Sequence, residues 1–135
     1  MKVSQFELMV NTSGRGAVSI NDQVNNLIKQ SSAKLCHIFV THTSASLMIT
    51  GNEDPNVLLD IEDYFQMSVK DAKPEYRHNN EGDFDMSGHI RSILTGESKT
   101  IPVVDGQLAL GKSQGLFLYE HRAGNNARKL IITLL

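Results

Sequence analysis

The segment from His78 to His89 concentrates side chains that can bind a metal ion or transfer protons. Ten residues separate its two histidines, and three of them are carboxylates, Glu81, Asp83 and Asp85. On a helix, Asp85 and His89 would share one face, because they are four residues apart. Imidazole and carboxylate groups are ligands for Zn²⁺, and a catalytic zinc site keeps one position open for water. Spacing alone leaves three interpretations open: a metal site, an acid–base or anion site without metal, and a solvated polar surface.

Further polar side chains stand where predicted strands end. His42 ends the apolar strand 35–43, and the end of a strand is a rigid support for a site residue. Together with His78 and His89 it would supply three metal ligands. Glu120 and Arg122 share one strand face, since neighbouring strand residues point to opposite sides. They are expected either to form an ion pair or to line the edge of a pocket.

Residues 106–113 match the phosphate-loop pattern G-x-x-x-x-G-K-S letter for letter. In a nucleotide-binding loop, this pattern opens a helix whose first N–H groups hold phosphate. Here Leu108 and Leu110 alternate as in a strand, and the apolar run Leu116–Tyr119 follows Ser113. Because no helix pattern follows, a nucleotide-binding loop is rejected.

The predicted elements that carry these residues form the order ββαββααββββ. Asp22 is predicted to cap the first helix, and Asp54-Pro55 is a strong start signal for the second. The third helix begins at Asp85 or Ser87, and Gly96 ends it. Helices grouped between runs of strands favour an α+β fold, a mostly antiparallel β-sandwich with about three helices. The strands are predicted at about 6–10, 17–20, 35–43, 47–50, 101–104, 107–110, 116–121 and 128–134, with a long polar loop over 68–81.

Length and composition restrict the class of protein. The 135 residues suit a single domain, 1–135, of which 40% are hydrophobic, and no apolar run is long enough to span a membrane. With a net charge of −2 and no basic run, neither nucleic acid nor a membrane is an expected partner. The lone cysteine, Cys36, excludes an intrachain disulfide. No signal-peptide pattern follows Met1, so a reducing, cytoplasmic setting is expected.

The charge is unevenly distributed. Residues 53–85 contain ten acids and three bases, a net charge of −7, so the rest of the chain carries +5. A solvated acidic helix face explains such a block. Contact with the basic part of a neighbouring subunit, or a bound cation near the histidines, are the alternatives.

Seven short motifs in a fixed order resemble the YjbQ-like family, also described as secondary thiamine-phosphate synthases. The resemblance covers essentially the whole chain. The motifs are His42-Thr43-Ser44-Ala45-Ser46-Leu47, Asn52 with Asp54-Pro55, His78 with Glu81-Gly82, Asp85-Met86 with His89-Ile90, Leu108-Ala109-Leu110-Gly111, Gln114-Gly115, and Glu120-His121-Arg122.

The resemblance implies a small α+β protein with a β-sandwich core, assembled as a homotrimer around polar pockets that take a small-molecule substrate. It implies a divalent metal, Zn²⁺ or, for a pyrophosphate substrate, Mg²⁺, and a weak thiamine-phosphate-forming activity. The matching positions are metal ligands His42, His78 and His89, acid–base groups Glu81 and Glu120, and substrate- or anion-binding residues Ser44, Asn52, Gln114 and Arg122.

The chain departs from the family pattern at Ser113, at Thr50-Gly51 and at Phe84, positions that affect the shape of the pocket. Three functions remain open. The first is a metal-dependent enzyme with weak thiamine-phosphate synthase activity, and the absence of a glycine-rich phosphate loop favours a side activity. The second is a non-catalytic trimeric protein that binds a metal or metabolite. The third is a metal-dependent hydrolase of a small phosphorylated compound.

Overall fold

Eight strands and three helices follow one another along residues 2–135, the part of the chain that the computed structural model describes. Their order is the predicted ββαββααββββ. The elements are β1 (Ser4–Ser13), β2 (Gly16–Ser19), α1 (Asn21–Ile28), β3 (Leu35–Val40), β4 (Ala45–Gly51), α2 (Asn56–Ser68), α3 (Asp85–Thr95), β5 (Ser98–Val104), β6 (Gln107–Leu108), β7 (Gln114–Glu120) and β8 (Asn125–Leu134).

The strands form two antiparallel sheets, which confirms the predicted α+β fold. The larger has the order β1-β8-β3-β5-β6, and the smaller has the order β2-β7-β4. The side chains of strand β7 alternate between the two faces of the sheet, and both sets are buried. Leu116 and Leu118 belong to the main core, with residues of the larger sheet. Phe117 and Tyr119 point the other way and pack with Phe65 of α2. The smaller sheet therefore lies between the larger sheet and α2.

The ends of the helices show which capping predictions were correct. Asp54 Oδ1 accepts the N–H of Asn56 at 2.9 Å, as its position before α2 predicted. Gly96 ends α3 with a φ of 101°, a backbone conformation that favours glycine. The prediction for Asp22 was wrong, because α1 already begins at Asn21 and has no side-chain cap. No helix among residues 2–135 is long and apolar enough to cross a membrane.

A tight hairpin joins β5 to β6 through Asp105 and Gly106. Both have positive φ, 52° and 74°, as a two-residue type I′ turn requires. A short turn after β6 then leads through Ser113 directly into β7. The phosphate-loop match therefore lies between strands, as the strand pattern around it predicted, and no helix follows it.

The long connection between α2 and α3, residues 69–84, is anchored by a buried arginine. The guanidinium of Arg15 pairs with both carboxylate oxygens of Asp71, at 2.8 and 2.9 Å. It also stacks 4.0 Å from the centre of the Phe84 ring, and its Nε donates to the carbonyl of His121. Ser87 in the first turn of α3 donates to Asp71. These contacts fix the loop against the start of α3, where the polar cluster lies.

Candidate functional site

The carboxylate of Asp85 is the centre of the polar cluster. Its side chain is 1% exposed, and Oδ2 lies 2.6 Å from Nε2 of His78 and 3.0 Å from Nε2 of His89. The other oxygen, Oδ1, accepts from Nη2 of Arg122 at 2.6 Å. Glu81 borders the same group, with Oε2 3.2 Å from Nε2 of His78. Two imidazoles, two carboxylates and a guanidinium thus converge at the beginning of α3.

Helix geometry and one backbone contact place His89. It stands one turn after Asp85 on α3, so both side chains lie on one face of the helix. Its Nδ1 lies 3.0 Å from the carbonyl oxygen of Thr43, which can only accept, so Nδ1 carries the proton and donates. Nε2 points at Oδ2 of Asp85, 3.0 Å away. Metal-binding histidines are oriented by this kind of second contact.

The charges in the cluster reinforce one another. Burial by itself opposes ionisation of Asp85, but hydrogen bonds from Arg122 and His78 outweigh it and lower the pKa of the carboxyl group. The hydrogen bond that His78 makes to Asp85 raises the pKa of His78, and the bond from Arg122 to Asp85 raises the pKa of Arg122. Asp85 is therefore an ionised carboxylate held by cationic donors, and a cation is the ligand that such a group attracts.

The donor set fits a divalent transition metal. One ligand atom from each of His78, Glu81, Asp85 and His89 lies within 4.8 Å of the other three. Mixed imidazole and carboxylate ligands suit Zn²⁺ and related ions. The side chains of His78 and Glu81 are 39% and 54% exposed, so one side of the cluster is open to solvent.

The structure does not bring His42 into this cluster. Its Nε2 accepts the backbone N–H of Lys129 at 2.9 Å and is occupied by that bond. Burial and the positive charge of Arg128 lower the pKa of His42, so its ring is held neutral. Of the three predicted ligands, only His78 and His89 come together, with ring centres 5.3 Å apart. Asp85, not His42, lies beside these two rings. Its i, i+4 spacing from His89 was the signal for it in the sequence.

Glu120 does not reach the cluster either. It is fully buried, and its two oxygens accept from Nε and Nη2 of Arg128 at 2.7 and 2.5 Å. The hydroxyl of Thr12 and the backbone N–H of Arg122 also donate to it. Burial opposes its ionisation, but these hydrogen bonds outweigh burial and lower the pKa. The structure thus corrects the predicted acid–base role: Glu120 belongs to an internal ion pair with Arg128, while the side chain of Arg122 pairs with Asp85.

The other predicted binding residues are dispersed. Asn52 donates to the carbonyl of Gln114, at the end of the smaller sheet where Gly51 pairs with Gln114. Glu120 pairs with Ala45 at the opposite end, six residues and about 20 Å away at 3.3 Å per residue. Asn52 and Gln114 are therefore remote from the cluster of their own chain. Ser44 is buried, and its carbonyl accepts from Arg128 and from the N–H of His121.

Three cavities border the cluster, and the smallest, of about 200 Å³, is lined in part by His78, Asp83 and Met86. The first of the two larger cavities, of about 440 Å³, is lined in part by the charged residues Glu81, Asp85 and Arg122. The second, of about 600 Å³, lies between the end of β3 and α3 and is lined by Phe39, Val40, Thr41, His42, Thr43, His89, Ser92, Ile93 and Glu97. His89 thus belongs both to the cluster and to the second, mainly apolar cavity.

Comparison with known proteins gives matches over nearly the whole chain. Residues 6–135 match the family described as UPF0047 protein YjbQ-like. A UPF0047 protein from Synechocystis sp. is 43% identical over 127 residues, which cover 93% of this chain and 86% of that protein. The UPF0047 protein YjbQ of Escherichia coli O157:H7 is 36% identical and covers 96% of each chain. The crystal structure of a conserved hypothetical protein from Thermus thermophilus superimposes with a TM-score of 0.89, at 29% identity, over 96% of this chain and 99% of that one.

Proposed function

This chain belongs to the YjbQ-like UPF0047 family, and we propose that it is a metal-dependent enzyme that acts on a small phosphorylated substrate. The metal ligands in this proposal are His78, Asp85 and His89, with Glu81 beside them. The observation that supports it best is the approach of both imidazole Nε2 atoms to one buried oxygen, Asp85 Oδ2. A buried carboxylate oxygen between two imidazoles, one of which a backbone carbonyl orients, suits a metal site.

The side chains around these ligands suit reactions of phosphate compounds. A divalent ion held there would polarise a phosphoryl oxygen or lower the pKa of a bound water. Glu81 is more than half exposed and can accept a proton from a substrate or water. Arg122 uses Nε and Nη2 for Asp85. Its Nη1 has no hydrogen-bond partner among residues 2–135 and can receive a phosphate oxygen.

For the same site we propose the weak thiamine-phosphate synthase activity that the family resemblance implies. That reaction joins a pyrimidine pyrophosphate to a thiazole phosphate and releases pyrophosphate, so two anionic reactants must be held together. Arg122 is the one arginine or lysine side chain that contacts the cluster within the described residues. We therefore expect slow turnover, and a homotrimer is the assembly in which we expect it.

Metal content tests the first part of the proposal. Purified full-length protein, prepared without chelators, is expected to contain about one equivalent of divalent metal per chain by inductively coupled plasma mass spectrometry. Asp85→Asn and His89→Ala should lose it. His37→Gln is a matched control, because His37 bonds to Thr100 on the larger sheet and lies outside the cluster. Wild-type protein with less than about a tenth of an equivalent would refute the metal site.

Complementation of a thiamine auxotroph tests the second part. Wild type should restore growth slowly, whereas Asp85→Asn should not. Equal rescue by both would place the activity elsewhere. Metal binding without rescue, and without hydrolysis of phosphate esters, would favour the alternative of a non-catalytic metal- or metabolite-binding protein.

A further inference from the structure

The hydrogen bond to Lys129 fixes the tautomer of His42. A backbone N–H can only donate, so Nε2 of His42, 2.9 Å away, must be unprotonated. The proton of the neutral ring is then on Nδ1. This assignment needs no assumption about any other side chain, because the partner is main chain in strand β8.

The Nδ1–H group of His42 has no protein partner. None of the hydrogen bonds formed by residues 2–135 involves this nitrogen, and the ring lines the 600 Å³ cavity between β3 and α3. Phe39 and Ile93, which are 40% and 78% exposed, line the same cavity. His42 thus presents one oriented donor within largely apolar walls.

The same cavity contains His89, whose Nε2 points at Asp85. A ligand that occupies the cavity would therefore have its apolar part against Phe39 and Ile93 and its polar end at His42 and His89. A few placed polar groups in a mainly apolar cavity are the usual composition of a small-molecule site.

We propose that His42 is a substrate-binding residue whose Nδ1–H donates to a phosphoryl oxygen of an ester with an apolar group, and that it is not a metal ligand. This deepens the proposed function and rests on it for the neighbouring metal. Ligation through Nε2 would remove the acceptor of the Lys129 N–H, and ligation through Nδ1 would move the ring proton to Nε2 and remove the same acceptor. The predicted ligand His42 thus becomes a neutral donor beside the site.

Two amide variants separate the two ring nitrogens. In His42→Asn, the amide Nδ2 lies near the position of Nδ1 and can still donate, but the acceptor for Lys129 is lost. In His42→Gln, the amide oxygen can reach the position of Nε2 and accept from Lys129, but the donor is lost. The probes are Zn²⁺ titrated into metal-stripped protein, and phenyl phosphate titrated into the zinc-loaded protein, both by calorimetry.

We expect both variants to bind Zn²⁺ within about threefold of wild type, whereas His89→Ala should not. Phenyl phosphate affinity should fall about tenfold or more in His42→Gln, the loss of one hydrogen bond to a charged group, and much less in His42→Asn. A large loss of Zn²⁺ affinity in both His42 variants would show that His42 is a ligand and overturn the inference. Unchanged phenyl phosphate affinity in His42→Gln would overturn it as well.

Nuclear magnetic resonance distinguishes failure of this inference from failure of the proposed function. The ¹⁵N shifts of wild-type His42 should show a protonated Nδ1, and phenyl phosphate should shift that proton resonance. If wild type binds no Zn²⁺, the proposed metal site fails, while the His42 inference is still decided by the response to phenyl phosphate. A protonated Nε2, or no response of the Nδ1 proton, would refute it.

Discussion

His121 makes the stability of this protein depend on pH. Its ring is fully buried, with Nε2 2.8 Å from Oγ of Ser46. Thr95 donates its hydroxyl proton to the carbonyl of Arg91, so it accepts from Ser46, and Ser46 in turn accepts from Nε2 of His121. The ring is therefore neutral and protonated at Nε2. Burial, together with the positive charges of Arg91 and Arg15, lowers its pKa to about 3.

The unfolded chain binds this proton much more readily than the folded one. An exposed histidine has a pKa near 6.5. The contribution of His121 to stability is therefore complete above about pH 6.5 and falls as the pH drops toward 3, because only the unfolded state gains the proton. Over the interval from pH 7 to pH 5, this linkage lowers the free energy of unfolding by about 2 kcal/mol.

Urea unfolding of wild type and His121→Gln at pH 7 and pH 5 measures the effect. The substitution also removes packing and the bond to Ser46, but that loss is the same at both pH values and cancels in the comparison. Between pH 7 and pH 5, wild type should lose about 2 kcal/mol more than the variant. Equal losses would refute the reasoning. If the variant does not fold, titration of wild type followed by NMR decides, since protonation of His121 above about pH 5 contradicts the buried neutral ring.

Three further outcomes are expected from other buried groups. Glu120→Gln leaves the guanidinium of Arg128, 6% exposed, without its carboxylate, so urea unfolding should show a loss of about 3 kcal/mol or more, with metal content unchanged. Gly106→Ala combines a φ of 74° with a Cβ 2.6 Å from the carbonyl oxygen of Lys29, and should lower the free energy of unfolding by more than about 1 kcal/mol. Cys36 is buried, and burial raises the pKa of its thiol to about 11, so Ellman's reagent should react with it at neutral pH only after unfolding.

The element order could be predicted because each signal is local. Asp54-Pro55 starts a helix and Asp105-Gly106 forms a turn through contacts among immediate neighbours. The exact ends depend on tertiary contacts. Asn21 begins α1 and its side-chain oxygen accepts the N–H of Leu116, a strand residue 95 positions away. No pattern around Asp22 contains that information.

The same distinction separates the predicted site residues that the structure brings together from those that it does not. His78, Glu81 and His89 lie within one short segment, and the structure brings them together. The predicted role of His42 rests on its place near a strand end and on the family resemblance, and that of Glu120 rests on the resemblance. Each instead meets a partner from β8, the backbone of Lys129 in one case and the side chain of Arg128 in the other. Both partners are decided by strand pairing, which a motif of a few residues does not specify.

Glu120 and Asp85 are both buried carboxylates, but their hydrogen-bond partners differ. Both oxygens of Glu120 accept from groups inside the protein, namely Arg128, Thr12 and one backbone N–H. Its charge is neutralised inside the protein, and no oxygen faces a cavity. Asp85 is also buried, but the partners of its Oδ2 are two imidazoles that are themselves metal ligands by type. In the proposed metal site, a cation would take the place of the proton between Oδ2 and His78 and leave the bond from Arg122 to Oδ1 intact, so the support of Asp85 would be kept.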